Sequence, residues 1–171
     1  MMHRVRLLAA AAAMSSFVLV TACDDDDDPS GPPDVDRTNF TATLSGTSEI
    51  PSVTTTANGT GAFTLFDDDS LTFTLQVASI DSVTSAHIHA GEATTASGTI
   101  LFAFPATTPP QNFTAMATLH TGTITPTSSG FSNAFTWDSL LTRLDNGTVY
   151  VNVHTRKNAG GEIRGQITEV P

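Results

Sequence analysis

The feature that most constrains this chain is a two-residue alternation of apolar side chains with threonine. Leu71, Phe73, Leu75 and Val77 are separated by Thr72, Thr74 and Gln76. Side chains on a strand point to opposite faces in turn, so this segment offers one face to a core and the other to water. In a helix the same four apolar residues would scatter around the axis. The pattern recurs. Phe40, Ala42 and Leu44 alternate with Thr41 and Thr43, and Phe63 and Leu65 flank Thr64. Between Leu65 and Leu71, the polar run Asp67-Asp68-Asp69-Ser70 predicts a hairpin turn. Three carboxylates there could hold a cation, but a solvated loop is the simpler reading.

Further strands are expected at Ser85–His89, Thr99–Phe104, Phe113–Leu119, Thr148–His154 and Glu162–Thr168, separated by Gly, Pro and Asn clusters. The exception is Trp137–Leu144. There Leu140, Leu141 and Leu144 make a helical stripe with Trp137 one turn earlier, and Asn146-Gly147 supplies a stop. Charged residues are only 14% of the chain, which argues against a coiled coil or a Glu/Lys-rich bundle. About eight short antiparallel strands and one short helix predict an all-β fold: an immunoglobulin-like sandwich or Greek-key barrel over residues 38–171. Four Asn-x-Thr sequons, at Asn39, Asn58, Asn112 and Asn146, read as by-products of Thr and Asn abundance.

The first 22 residues read as an address. A basic stretch ends at Arg6, and Leu7 to Val20 carry no charge, a run too short to span a bilayer. Val20-Thr21-Ala22-Cys23 resembles the bacterial lipobox, which implies cleavage before Cys23 and diacylglycerol on its thiol. Several acyl chains on one residue give durable anchoring. Asp24 to Asp28 and then Pro29-Ser-Gly-Pro-Pro33 cannot pack, so residues 23–37 are expected to be an acidic, Pro-rich disordered tether. The expected location is the cell envelope, lipid-anchored to a bacterial membrane through Cys23, periplasmic or surface-exposed. A net charge of −10 excludes nucleic-acid binding through a basic face. One Cys allows no intrachain disulfide.

Chemistry concentrates on two histidine segments. In Ala86-His87-Ile88-His89-Ala90 a strand places both imidazoles on one face. In Tyr150-Val-Asn152-Val-His154 the residues Tyr150, Asn152 and His154 share a face, with Val151 and Val153 on the other. Glu162, Arg164 and Gln166 alternate with Ile163, Gly165 and Ile167. If these strands pair, His87, His89 and His154 form a candidate copper or zinc site. The competing reading is a structural polar cluster of Asn152, Glu162 and Arg164, with imidazoles bonded to carboxylate or backbone and Glu162 paired with Arg164. His120, before Thr121-Gly122, reads as an exposed turn residue. No Gly-x-Ser-x-Gly elbow, phosphate loop or dinucleotide fingerprint occurs, and no catalytic residue is assigned.

The segments Leu44-Ser-Gly46, Glu49-Ile-Pro51, Gly59 to Gly61, Ala86 to Gly91, Tyr150 to Thr155 and Gly160 to Gln166 together resemble the CHRD (chordin) domain, over roughly Phe40 to Thr168. The resemblance implies an immunoglobulin-like β-barrel in an exported protein, here a bacterial lipoprotein member. It also implies a distant similarity to the copper-zinc superoxide dismutase fold. His87-Ile-His89 with Gly91 looks like that enzyme's copper pair, and Asn158-Ala159-Gly160 like the stretch before its active-site arginine. Here Glu162 falls at the arginine's place and Arg164 two residues later. Too few His and no Cys pair remain for the two-metal site, so dismutase activity is not expected. The resulting expectation is a membrane-anchored lipoprotein with a non-enzymatic binding or structural module and an envelope or extracellular protein partner. The alternative is a copper- or zinc-binding or redox module built on the histidines.

Overall fold

The computed structural model describes residues 37–67, 69–132 and 135–171. The readings placed on residues 1–36, including Cys23, the signal segment and nearly all of the tether, lie outside the described residues, as does Asp68 of the three-Asp turn.

The elements run β1 (Arg37–Ser45), β2 (Asn58–Phe66), β3 (Ser70–Ala78), β4 (Ile80–Ala90), β5 (Ile100–Ala103), β6 (Gln111–Phe113), β7 (Ala117–Ile124), α1 (Trp137–Asp145), β8 (Val149–Thr155), β9 (Ile163–Gln166) and β10 (Thr168–Glu169). They form one antiparallel sheet in the order β5-β4-β8-β9-β1-β2-β3-β7, with β10 on β1 and β6 on β4. The eight-strand path curls into a half-barrel with, among the described residues, one α-helix, the all-β architecture expected from the alternation. Two expected strands divide: Glu162–Thr168 is split between β9 and β10 at Ile167, and Phe113–Leu119 is split as well. Phe113 ends β6 and β7 starts at Ala117, so the segment splits between two strands.

The alternation decides what the curl encloses. Phe40, Phe63, Leu71, Leu75 and Val77 point inward from β1–β3, while Ile88, Val151, Val153 and Ile163 point inward from β4, β8 and β9. The threonines between them keep one hydroxylated face in water. At the hairpin Asp69 takes φ 59°, the left-handed turn geometry that Asp tolerates. The helix starts where Thr136 accepts from the Ser139 N–H and stops at Gly147, whose φ of 63° suits glycine. Trp137, Leu140 and Leu144 are its buried stripe.

Strands β8 and β9 are covered on both sides. All 7 residues of β8 are buried, including those of the polar face. Two loops account for the cover, residues 46–57 after β1 and residues 91–99 after β4. Arg164 holds both down. Its Nε donates to the Ser48 carbonyl (2.6 Å), Nη1 to Thr95 (2.7 Å) and Nη2 to Ala93 (3.0 Å).

Candidate metal centre

Strand register assembles the site. β4 pairs with β8 so that Ser85 faces His154, His87 faces Asn152 and His89 faces Tyr150, and β8 pairs with β9 so that Asn152 faces Arg164. The three histidines predicted as ligands therefore meet on one sheet face, although they come from strands about 65 residues apart in sequence. One nitrogen of each lies within 4.8 Å of the others. His89 and His154 are buried and His87 is half-buried.

The hydrogen bonds fix the tautomers. His89 Nδ1 lies 2.9 Å from the Gly98 carbonyl, and His154 Nδ1 lies 2.9 Å from the Ala159 carbonyl. A carbonyl oxygen only accepts, so both rings carry their proton on Nδ1 and a lone pair on Nε2. His154 Nε2 takes a hydrogen bond of 2.9 Å from His87 Nδ1. His89 Nε2 is buried with no hydrogen-bond partner. Backbone caps on the far nitrogens with lone pairs aimed inward are the arrangement that orients imidazole ligands around a metal. Two imidazole nitrogens on one tetrahedral ion would sit about 3.3 Å apart, so nitrogens as far as 4.8 Å apart would have to draw together to close on one.

Glycines make these caps. A side chain at Gly98 would overlap the Ala90 carbonyl oxygen, and this glycine's own N–H donates to the Tyr150 hydroxyl at 3.0 Å. Gly161, in the turn that carries Ala159 back to His154, has φ 133° and no room beside the Asn152 amide and the Glu49 carboxyl.

Burial keeps the rings neutral. Loss of water pushes the His87 pKa down to about 4, and His154 and His89 beside it add to the effect. His89 and His154 are also lowered, chiefly by burial. Neutral imidazole is the form that binds metal.

The predicted polar cluster is placed differently from the expected pairing. Glu162 does not meet Arg164. Its two oxygens accept from Thr55 Oγ1 and Thr155 Oγ1, each at 2.7 Å. Burial raises the Glu162 pKa, but donation from Thr155, Thr55 and Asn158, with the charge of Lys157, turns the net shift downward. Arg164 spends its donors on loop carbonyls and lies over the Tyr150 ring at 4.6 Å. That ring stacks on His89 at 5.0 Å and 4°. Asn152 donates to Glu49 at 2.7 Å. Burial raises the Glu49 pKa to about 7, against the lowering pull of Arg164. Glu49, Thr55 and Tyr150 join the site without being among the site residues the sequence predicts. Glu49 had one signal, being the only charged residue between Thr38 and Phe66.

His120 is neither exposed nor at a turn. It is half-buried within β7, its ring parallel to Phe104 at 5.5 Å and 13°. The physical reason is a bulge. Leu75 faces His120 but Gln76 faces Thr118, so Leu119 is the extra residue and His120 turns inward. It is remote in register from the triad and takes no part in it.

The family model described as the CHRD domain matches residues 40–167, a span that includes every residue of the site. No curated protein and no solved structure matches the chain.

Proposed function

The chain belongs to the CHRD domain family, and on that premise we propose that it is a lipid-anchored, extracytoplasmic binding module whose ligand is a transition-metal ion. His87, His89 and His154 hold the ion, copper or zinc, through His87 Nδ1 and the Nε2 atoms of the other two. The observation that carries the reading is His89 Nε2, a buried lone pair without a partner, in a triad where His89 and His154 are oriented by backbone carbonyls and His87 by its bond to His154. A buried polar atom left unpaired costs about 1–3 kcal/mol, and a metal ion removes that cost. The anchor is Cys23, and residues 24–36 are the tether, since Arg37 already pairs with Phe66 as the first residue of β1. No residue is assigned a catalytic role.

A second reading has its own support. The 2.9 Å bond from His87 to His154 satisfies both rings without an ion, as it would in a purely architectural triad. The two readings separate in one experiment. The full chain, purified without a polyhistidine tag, is incubated with copper or zinc, passed through a desalting column and analysed for metal. Stoichiometric metal that disappears in the His87→Ala, His89→Ala double variant supports the metal reading. Absence of retained metal in the natural chain, with the double variant merely less stable, establishes the architectural one.

A further inference from the structure

This inference rests on the metal reading above and concerns which ion the triad takes. Arg164 is 3% exposed, and its three hydrogen-bond acceptors are uncharged backbone carbonyls. Among the described residues it forms no ion pair, and the carboxyl it acts on, Glu49, has its pKa pushed up to about 7 by burial and so offsets the charge only in part at neutral pH. Its charge sits over Tyr150, and Tyr150 lies flat against the ligand ring of His89. The site therefore contains a fixed, buried positive charge one aromatic ring away from the metal position. The ligands do nothing to offset it. The group that could hold an ion consists of three imidazoles, with no carboxylate and no thiolate.

Charge then discriminates between ions. Repulsion from Arg164 is twice as large for a dication as for a monocation at the same place, and partial burial weakens the screening that would hide the difference. A divalent zinc ion is also normally completed by a fourth ligand, whereas three nitrogen donors are a full complement for a cuprous ion. We infer that the triad takes monovalent copper in preference to divalent zinc, with Arg164 as the residue that sets the preference.

The test is a competition on the full, untagged chain. Zinc-loaded protein is challenged without oxygen by an equimolar, weakly buffered copper(I) salt, and bound metals are quantified after desalting. Copper should replace zinc. Arg164→Gln should narrow the copper preference about tenfold, since one charge at roughly 10 Å in a half-buried site acts on that scale. For the copper couple itself, tenfold corresponds to a fall of about 59 mV in potential. Arg164→Lys keeps the charge and should keep the preference. Zinc that stays bound against copper(I), or a preference unchanged in Arg164→Gln, overturns the inference and leaves the metal reading standing. If Arg164→Gln does not fold, the competition on the natural chain decides alone. Neither ion retained, or both retained equally by the double histidine variant, overturns the metal reading itself.

Discussion

His87 Nδ1 and His154 Nε2 lie 2.9 Å apart, a donor facing a lone pair across the pairing of β4 with β8. The proton in that bond is what an entering ion must displace. His87 is neutral, so it can shift that proton to its other ring nitrogen and offer Nδ1 as a lone pair. The bond and the metal are thus alternative ways to tie the same two strands. Of the two, only the metal also satisfies His89.

Metal should therefore raise stability through the native state alone. With free copper or zinc at a thousandfold excess over its Kd, the gain is about 4 kcal/mol, or a rise in Tm of roughly 10 °C for a domain of this size. Calorimetric scans with metal and with chelator measure it. His87→Ala should abolish the difference between the two scans. An equal shift in that variant would place the metal elsewhere.

Arg164→Met should be the most damaging single change on the polar face. It leaves the Ser48, Thr95 and Ala93 carbonyls without a donor and releases both covering loops. The expected loss is roughly 3 kcal/mol or more, read from the urea midpoint at unchanged m-value. Arg164→Lys should recover only part of it, because an ammonium cannot serve three carbonyls held in a planar fork.

These two sites show where the sequence is informative and where it is not. Alternation in Tyr150–His154 and Glu162–Ile167 correctly divides core residues from polar ones. It also places three histidines on one face, since period two survives any antiparallel register that preserves the core. It does not reveal that this polar face is covered. The cover comes from residues 46–57 and 91–99, which have no period to read. It is held by bonds such as Thr55 to Glu162 that join residues 107 apart. The expected Glu162–Arg164 pair fails for the same reason. Partners invisible to the alternation, two threonines and three loop carbonyls, satisfy each group separately.

Glu49 should make stability fall on the alkaline side. Its folded pKa is raised to about 7, mainly by burial, from an unfolded value of 4.5. The carboxyl is protonated in both states below 4.5, so its stabilising contribution is complete there. That contribution is lost as pH rises through 7, where folding must bury the charge. Glu49→Gln keeps the acceptor for Asn152 and removes the titration. The variant should match the natural chain near pH 4.5 and exceed it at pH 8 in urea midpoint. A constant difference across that range would contradict the assignment.

His120→Phe should stabilise the protein, and by more in acid. The imidazole Nε2 is buried without a partner, while the ring already stacks on Phe104. A phenyl ring keeps the stacking and removes the orphan atom, for a gain of about 1 kcal/mol at pH 8. Burial lowers the His120 pKa below its unfolded value of 6.5. The natural residue's contribution is then intact above pH 6.5 and declines as pH falls from there through the folded pKa, because the unfolded chain takes up the proton first. Phe cannot titrate. The difference between the two urea midpoints should therefore widen steadily from pH 6.5 downward. The triad histidines are common to both proteins and cancel in that difference. A gap that stays flat with pH would mean that the folded protein lets water reach His120.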